Sequence, residues 1–276
     1  MYKFITSVSD SRNFFEFLGV FRKSLQNMFG NNFKLYVNYV TKRSEDDALV
    51  QKVKSFSDEL WLYKPIDAMD DGNYAKVLRM INACKVPCEP EEKVILMDSD
   101  IIMLHRDYFS QIYDYDIGDG LGTVGKNIYA NTPDSHKFPM SYCFGRPEVF
   151  QKIVNPKNLD NFALLDSWSN IKGRDGKENP FNDHARFSDE SLLYHLLANS
   201  QHRITTYDFQ RPDVNRKYGV ARRVDRVRWD FSREGFDKGY YIDFVPMRPF
   251  NAMYKTMKEL IDIITENQFD RYKIEE

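Results

Sequence analysis

The sequence EEKVILMDSDIIML, residues 91–104, contains four consecutive apolar residues followed by two aspartates. An uninterrupted apolar run of this length is typical of a strand that is buried on both faces of a parallel sheet. Asp98 and Asp100 follow the run, and alternate residues of an extended strand point to the same side. Open α/β sheets bind ligands at the carboxyl ends of their strands. The segment therefore predicts an α/β fold with a ligand site around the two aspartates.

The sequence before this segment alternates between strand and helix patterns. Apolar residues cluster in the strand patterns and recur every three or four positions in the helix patterns. The predicted elements are a strand around Phe4–Val8, a helix over 14–28, strands over 33–40 and 58–64, and a helix over 71–83. This order predicts a Rossmann-like, mixed and mostly parallel sheet flanked by helices. We expect the 276 residues to form a single domain.

The later sequence has two more helices and long polar segments. Ser188 is predicted to cap a helix that begins SDESLLYHLL, and the last helix follows Pro249. The polar stretch 170–186 is broken by Gly and Pro, which is typical of a loop. The arginines of 211–233 are interspersed with aspartates, which favours a solvated face of mixed charge. A lid that closes over an anionic ligand is the alternative.

Charge and cysteine content exclude several classes of protein. The 39 Lys plus Arg and 41 Asp plus Glu give a formal net charge of −2, which provides no electrostatic basis for nucleic-acid binding. The three cysteines contain no CxxC pair, so neither a disulfide framework nor a cysteine zinc site is predicted. No apolar run approaches the length of a membrane span, and the first residues lack a signal-peptide pattern. We therefore expect a cytoplasmic protein without a transmembrane segment.

The chemistry of paired carboxylates constrains the site at Asp98 and Asp100. Two like charges at close range need a cation or a shared proton, and Mg²⁺ or Mn²⁺ bridging to a diphosphate would meet that need. A capped turn with two solvated aspartates is the alternative, but the buried strand before them favours a metal site. The five histidines show no HxxxH or HExxH spacing, and no GxxxxGKS/T or GxSxG motif is present. Zinc hydrolases, P-loop enzymes and serine hydrolases are therefore not predicted.

The strand and the DSD triplet at 98–100 resemble the metal and nucleotide-sugar site of the GT-A glycosyltransferases. The resemblance covers most of the chain in the order of its elements, in the small stand-alone form seen in bacteria and large DNA viruses. It implies a nucleotide-binding half over 1–104 and an acceptor-binding half with a C-terminal helix over 105–276. It also implies donor-binding roles for Thr6, Ser7, Val8 and Asp10 in the opening strand, Lys76 or Arg79 on the helix before the triplet, Ser99 within it, and Gly145 in SYCFGRPEVF. For Lys76 and Arg79, a solvated helix face is the alternative.

Two later motifs resemble the reaction centre of the same family. FSDESLL, residues 187–193, resembles the acidic motif that opens a helix beside the anomeric carbon, which implies Asp189 or Glu190 as the catalytic carboxylate. The helix dipole alone favours acids in a first turn, so a purely structural role is the alternative. YYIDFVPMRPF, residues 240–250, resembles a shortened closing motif of the glycogenin-like class. It implies Asp243 as a metal ligand in place of a histidine, and Arg248 as a contact to the diphosphate.

The function implied by the resemblance is transfer of a hexosyl or pentosyl group from a nucleoside-diphosphate sugar, UDP-linked in the first instance, to a hydroxyl of a glycan acceptor. We expect dependence on Mn²⁺ or Mg²⁺ and an inverting reaction in which Asp189 is the base and Glu190 its rival. A sugar-phosphate nucleotidylyltransferase is an alternative, although SVSDSRNFF lacks the glycine-rich loop of that class. A non-catalytic carbohydrate-binding protein on the same fold would be expected to have lost the metal acids, which this chain keeps.

Overall fold

The structure is a computed structural model, and it describes residues 1–12, 14–67, 69–126, 137–169, 189–209, 222–227 and 229–274. The polar stretch 170–186 and the predicted cap Ser188 lie outside these residues, as does most of the arginine-rich run 211–233. No helix in the described ranges is long and apolar enough to cross a membrane.

Strands and helices alternate along the described chain. The strands are β1 (Tyr2–Ser9), β2 (Phe33–Val40), β3 (Glu59–Tyr63), β4 (Val94–Leu96), β5 (Ile102–Met103), β6 (Leu121–Val124), β7 (Cys143–Gly145), β8 (Thr206–Phe209), β9 (Arg222–Val224) and β10 (Tyr241–Phe244). The α-helices are α1 (Leu18–Phe29), α2 (Ala48–Ser55), α3 (Asp71–Ala83), α4 (Arg106–Tyr113), α5 (Pro147–Val154), α6 (Asn161–Ser169), α7 (Asp189–Ala198), α8 (Arg233–Asp237), α9 (Phe250–Thr265) and α10 (Phe269–Tyr272). Two short 3₁₀ turns, Asp10–Arg12 and Phe14–Phe17, connect β1 to α1.

Seven strands form one mixed sheet in the order β3-β2-β1-β4-β7-β6-β8. The strands β3, β2, β1 and β4 are parallel to one another, β7 is antiparallel to both β4 and β6, and β8 is parallel to β6. A second sheet has the order β5-β10-β9. The predicted Rossmann-like, mostly parallel sheet in a single domain is therefore confirmed, and both predicted halves of the chain contribute strands to it.

Helices cover both faces of the large sheet because its strands are apolar on both sides. Phe4 and Ile5 are adjacent and fully buried, and they belong to separate hydrophobic clusters on opposite faces. On the first face, α1 packs against α9 and α10, and on the other face α3 packs against α5 and α7.

The end of β4 differs from the sequence prediction in one respect. We expected an extended strand to continue through Asp98 and Asp100, but β4 ends at Leu96 and a turn follows, closed by a 3.2 Å hydrogen bond from Ile101 N to Asp98 O. The register explains this difference, because the antiparallel neighbour β7 begins at Cys143, opposite Leu96. The two aspartates are therefore placed by a turn rather than by strand alternation.

Candidate active site

A cleft of about 290 Å³ lies where the DSD turn follows β4, beside the end of β1 and the first turns of α3. Seven of the residues predicted from the sequence line it: Ser7, Lys76, Arg79, Asp98, Ser99, Asp100 and Arg248. The other lining residues are Phe14, Gly72, Ala75, Ile101, Ser141, Arg223, Arg226 and Val245. Helix α3 is fixed here by its cap, since the Asp70 carboxylate accepts hydrogen bonds from Gly72 N and Asn73 N.

Asp98 is held by one cation and one hydroxyl. Arg79 Nη1 donates to Asp98 Oδ1 at 2.5 Å, and the Ser141 hydroxyl donates to Asp98 Oδ2. Burial by itself would raise the pKa of the Asp98 carboxyl, but the Arg79 charge and these hydrogen bonds outweigh burial and keep that pKa below its ordinary value. Asp98 is therefore a carboxylate anion at neutral pH.

Arg79 also bonds to Asp189, the first residue of α7. Its Nη2 donates to Asp189 Oδ2, and the side chains of Arg79 and Asp189 are only 3% and 7% exposed. Asp189 does not line the cleft, because the Arg79 guanidinium lies between it and Asp98. The arrangement is a buried acid–base–acid bridge that joins α3, the DSD turn and α7.

Asp100 lies beside two arginines from distant parts of the chain. Arg248 Nη2 donates to Asp100 Oδ2, and Arg226 Nη1 donates to the same oxygen at 3.3 Å. The Arg248 guanidinium also lies over the Phe14 ring, with 4.4 Å between its Cζ and the ring centroid, which is a cation–π contact. Burial lowers the pKa of Arg226.

Asp243, on β10, is not brought into the cleft. Its side chain is fully buried, and Arg223 donates Nε to Oδ1 at 2.7 Å and Nη2 to Oδ2 at 2.8 Å. The Tyr142 hydroxyl also donates to Oδ2. The structure therefore does not place Asp243 beside Asp98 and Asp100 as a third metal ligand.

A divalent cation suits the two cleft aspartates by their chemistry. No group of three or more His, Cys, Asp or Glu in the described ranges is arranged to hold a metal ion. Mg²⁺ commonly takes one or two carboxylates and completes its shell with water and substrate phosphates, so a pair of aspartates is a sufficient protein donor set. Asp98 and Asp100 fit that role without Asp243.

Several residues predicted from the sequence lie outside the cleft. Thr6 and Val8 are fully buried in β1, and Asp10 accepts hydrogen bonds from the Tyr39 hydroxyl at 2.5 Å and from Thr41 Oγ1 at 2.6 Å. Gly145 pairs with Val94, which places it at the amino end of β4, away from the DSD turn. Glu190 is half-buried in the first turn of α7, where its main-chain oxygen accepts a hydrogen bond from Phe138 N.

Eight of the lining residues are not predicted from the sequence, and four of them have polar, charged or aromatic side chains: Phe14, Ser141, Arg223 and Arg226. Ser141 is the first residue of SYCFGRPEVF, residues 141–150, and a single serine does not by itself indicate a site. Phe14 was assigned to a helix pattern. Arg223 and Arg226 belong to the run 211–233, for which the sequence favours a solvated face and leaves a lid over an anionic ligand as the alternative, and both arginines line the cleft.

The cleft carries an excess of positive charge. Among the described residues that line it, five are cationic, Lys76, Arg79, Arg223, Arg226 and Arg248, and two are acidic, Asp98 and Asp100. A concentration of arginines with forked donors suits a ligand that carries phosphate groups. The cleft is therefore suited to an anionic ligand, although the whole chain is close to neutral.

Comparison with known proteins shows similarity in structure only. No protein-family profile and no curated protein sequence matches this chain. An active-site mutant of LgtC matches with a TM-score of 0.52 at 13% identity, over 97% of this chain and 95% of that chain. The galactosyltransferase LgtC in complex with donor and acceptor sugar analogues matches with a TM-score of 0.50 at 14% identity, over 95% of this chain and 96% of that chain. The chain therefore has the fold of the GT-A glycosyltransferases, as the sequence predicted.

Proposed function

We propose that this protein is a glycosyltransferase that takes a hexosyl or pentosyl group from a nucleoside-diphosphate sugar, UDP-linked in the first instance, and passes it to a hydroxyl of a glycan acceptor. The observation that carries the proposal is the cationic cleft around Asp98 and Asp100, at the ligand-binding edge of a GT-A sheet. A diphosphate leaving group carries several negative charges, and this cleft offers cations and metal-binding carboxylates together.

In this proposal, Asp98 and Asp100 hold Mn²⁺ or Mg²⁺. The cation, when bound, neutralises charge that develops on the leaving diphosphate. Arg79 and Ser141 keep the Asp98 carboxylate ionised and oriented. Lys76 and Arg248 are assigned to the diphosphate because both line the cleft beside the DSD turn, and Ser7 and Ser99 are assigned to the rest of the donor.

The pairing of Asp189 with Arg79 favours a positioning role for Asp189. A general base must reach the hydroxyl that it deprotonates, directly or through one water. Asp189 is instead enclosed, with one carboxylate oxygen bonded to Arg79. An inverting reaction with Asp189 as the base therefore has no support from this geometry, and Glu190 is the remaining alternative of the two. The anomeric configuration of the product, determined by NMR, would separate inversion from retention.

The proposal is tested by incubating the purified protein with a panel of nucleotide sugars and Mn²⁺ and measuring release of UDP or GDP. Asp98→Asn and Asp100→Asn should each lower turnover by about a hundredfold or more, because loss of the cation removes several kcal/mol of charge stabilisation. Asp119→Asn is the matched control, because that aspartate side chain is 73% exposed and does not line the cleft. Its turnover should equal that of the wild type.

Three results would contradict the proposal. Release of pyrophosphate from a nucleoside triphosphate and a sugar phosphate would indicate a nucleotidylyltransferase. Glycan binding without release of any nucleotide would indicate a carbohydrate-binding protein. Unchanged Mn²⁺ dependence of UDP or GDP binding in Asp100→Asn would show that the metal site has been assigned to the wrong residues.

A further inference from the structure

We propose that Asp243 positions Arg223 rather than binding the metal. Arg223, on strand β9 of the three-stranded sheet β5-β10-β9, then binds the diphosphate in the cleft. The inference rests on the proposed function, and it reassigns the residue that sequence resemblance placed in the metal shell. It follows from the hydrogen bonds, burial and charge of three residues: Arg223, Asp243 and Tyr142.

The two carboxylate oxygens of Asp243 are both engaged by the same guanidinium. Arg223 Nε bonds to Oδ1 and Nη2 to Oδ2, at 2.7 and 2.8 Å, which is the two-point geometry that gives Arg–carboxylate pairs their strength and direction. Tyr142 adds a third donor at Oδ2. A metal cation bound to Asp243 would have to displace these three donors, and the Asp243 side chain is fully buried.

The strand register builds this pair into the fold. Asp243 on β10 is the Cα partner of Arg223 on the parallel neighbour β9, so their side chains are brought together by the small sheet itself. Tyr142 lies just before β7 of the large sheet, in a left-handed conformation with φ of 67°. The three residues therefore fix Arg223 relative to both sheets.

Arg223 reaches the cleft from this anchored position. Its side chain is 18% exposed and is among the lining residues. The two-point contact with Asp243 uses Nε and Nη2 and does not use Nη1, which leaves Nη1 to meet an acceptor in the cleft. Burial alone would lower the pKa of Arg223, but Asp243 raises it above its ordinary value, so the group stays cationic.

Arg223 differs in one way from the arginines beside Asp100. Arg226 and Arg248 bond to an aspartate that the proposed cation also needs, whereas the counter-ion of Arg223 lies buried outside the cleft. Arg223 can therefore bind a phosphate oxygen without competing with a cation for Asp98 or Asp100. A planar guanidinium held by its Nε edge is also well suited to this task, and lysine is not an equivalent replacement.

The test measures anion binding and metal binding separately, on Arg223→Gln, Arg223→Lys, Asp243→Asn and the double variant Arg223→Gln/Asp243→Asn. Calorimetry gives the affinity for UDP and for inorganic pyrophosphate at fixed Mn²⁺, and electron paramagnetic resonance gives the affinity for Mn²⁺ alone. Each single variant should weaken binding of both anions by about 10- to 100-fold, because one charge-assisted hydrogen bond is lost or misdirected. The double variant should be no weaker than Arg223→Gln, and Mn²⁺ affinity should stay within about twofold of wild type.

Asp100→Asn is the matched control, because it should weaken Mn²⁺ binding directly. If Asp243→Asn unfolds because it leaves a buried cation, the double variant, which removes both charges, preserves the comparison with wild type. Weaker Mn²⁺ binding in the double variant, or unchanged pyrophosphate affinity in Arg223→Gln, would overturn the inference. A wild-type protein that binds pyrophosphate but neither UDP nor GDP would contradict the proposed function alone, and the Arg223 comparison would still be made with pyrophosphate.

Discussion

Arg79 carries a full positive charge into the protein interior beside the cleft. Its side chain is 3% exposed, and it bonds to Asp98 and to Asp189, which is 7% exposed. Burial would lower the pKa of Arg79, but the two carboxylates raise it above its ordinary value, so the bridge remains ionised. Such a bridge adds little stability compared with apolar packing, but removal of one member leaves uncompensated charge. Arg79 therefore links the DSD turn to α3 and α7, and it is also a part of the cleft.

Arg79→Met should destabilise the protein by about 3–5 kcal/mol, because two poorly solvated carboxylates lose their cation. Arg146→Met is the matched control, since Arg146 pairs with Asp119 and Glu91, which are 73% and 89% exposed. Arg146→Met should destabilise the protein by less than about 1 kcal/mol. Urea unfolding at neutral pH measures the free energy of unfolding of both variants. The bridge would be shown to be unimportant if the two variants unfold at the same urea concentration.

At the scale of elements, Asp58 joins helix α1 to strands β2 and β3. Its carboxylate accepts a 2.5 Å hydrogen bond from Arg22 Nη1 on α1 and a 2.8 Å hydrogen bond from Leu35 N on β2. Asp58 immediately precedes β3 and also donates its own main-chain N–H to Leu35 O. Burial would raise the pKa of Asp58, but the Arg22 contact and the Leu35 hydrogen bond keep it below its ordinary value.

Asp58→Asn should destabilise the protein by about 1 kcal/mol at neutral pH, because it loses the ion pair while an amide oxygen can still accept from Leu35 N. The pKa of Asp58 is lower in the folded than in the unfolded protein. The stabilisation by its ion pair with Arg22 is therefore complete above the unfolded pKa of about 3.9, and it is lost as the pH falls through the folded pKa. Urea unfolding is measured between about pH 3 and about pH 7, in steps of about one pH unit. The free energies of unfolding of wild type and Asp58→Asn should become equal at the acidic end of this range. A difference that persists at the lowest pH would contradict the ion-pair assignment. Asp237→Asn is the control, because the side chains of Asp237 and of its partner Arg233 are both more than half exposed.

The elements that sequence predicted correctly are those with a local signal. The apolar periodicity of α1, α3 and α9 and the apolar run of β4 are properties of single segments, so they can be recognised without knowing their partners. The small sheet has no such signal, because β10 pairs with β5 from residues 102–103 and with β9 from residues 222–224. These strands are two to four residues long and form only through long-range contacts.

The same distinction applies to the site. The sequence predicts Asp98 and Asp100 as site residues because they follow a recognisable strand. Their position in the cleft is determined by where that strand, β4, ends. The Arg223–Asp243 pair depends on the register between two short strands, and a shift near Tyr241 makes that register irregular. Sequence resemblance could align Asp243 with a metal ligand, but it could not show which partner lies beside its carboxylate.

At the scale of the whole molecule, residues near the two ends of the sequence pack together. Helix α10 lies against α1, and a β-carbon added at Gly19 would overlap the main-chain carbonyl of Tyr272. Lys23 Nζ forms an ion pair with Glu266 at 2.6 Å, and Phe269 stacks on Tyr254 with ring centroids 4.2 Å apart. The absence of a side chain at residue 19 is therefore what allows the last helices to cover α1 closely.

Gly19→Ala should destabilise the protein by about 1–3 kcal/mol through steric overlap with Tyr272. The direction is diagnostic, because alanine is a better helix former than glycine and would otherwise stabilise α1 by up to about 1 kcal/mol. Gln26→Ala, on the exposed side of the same helix, should change stability by less than about 0.5 kcal/mol. Urea unfolding gives the free energies, and limited proteolysis followed by mass spectrometry should show faster cleavage near residues 266–268 in Gly19→Ala alone, because displacement of α10 exposes the connection to α9. A Gly19→Ala protein that is as stable as wild type and equally resistant to cleavage would show that α10 can move away from α1 at no cost.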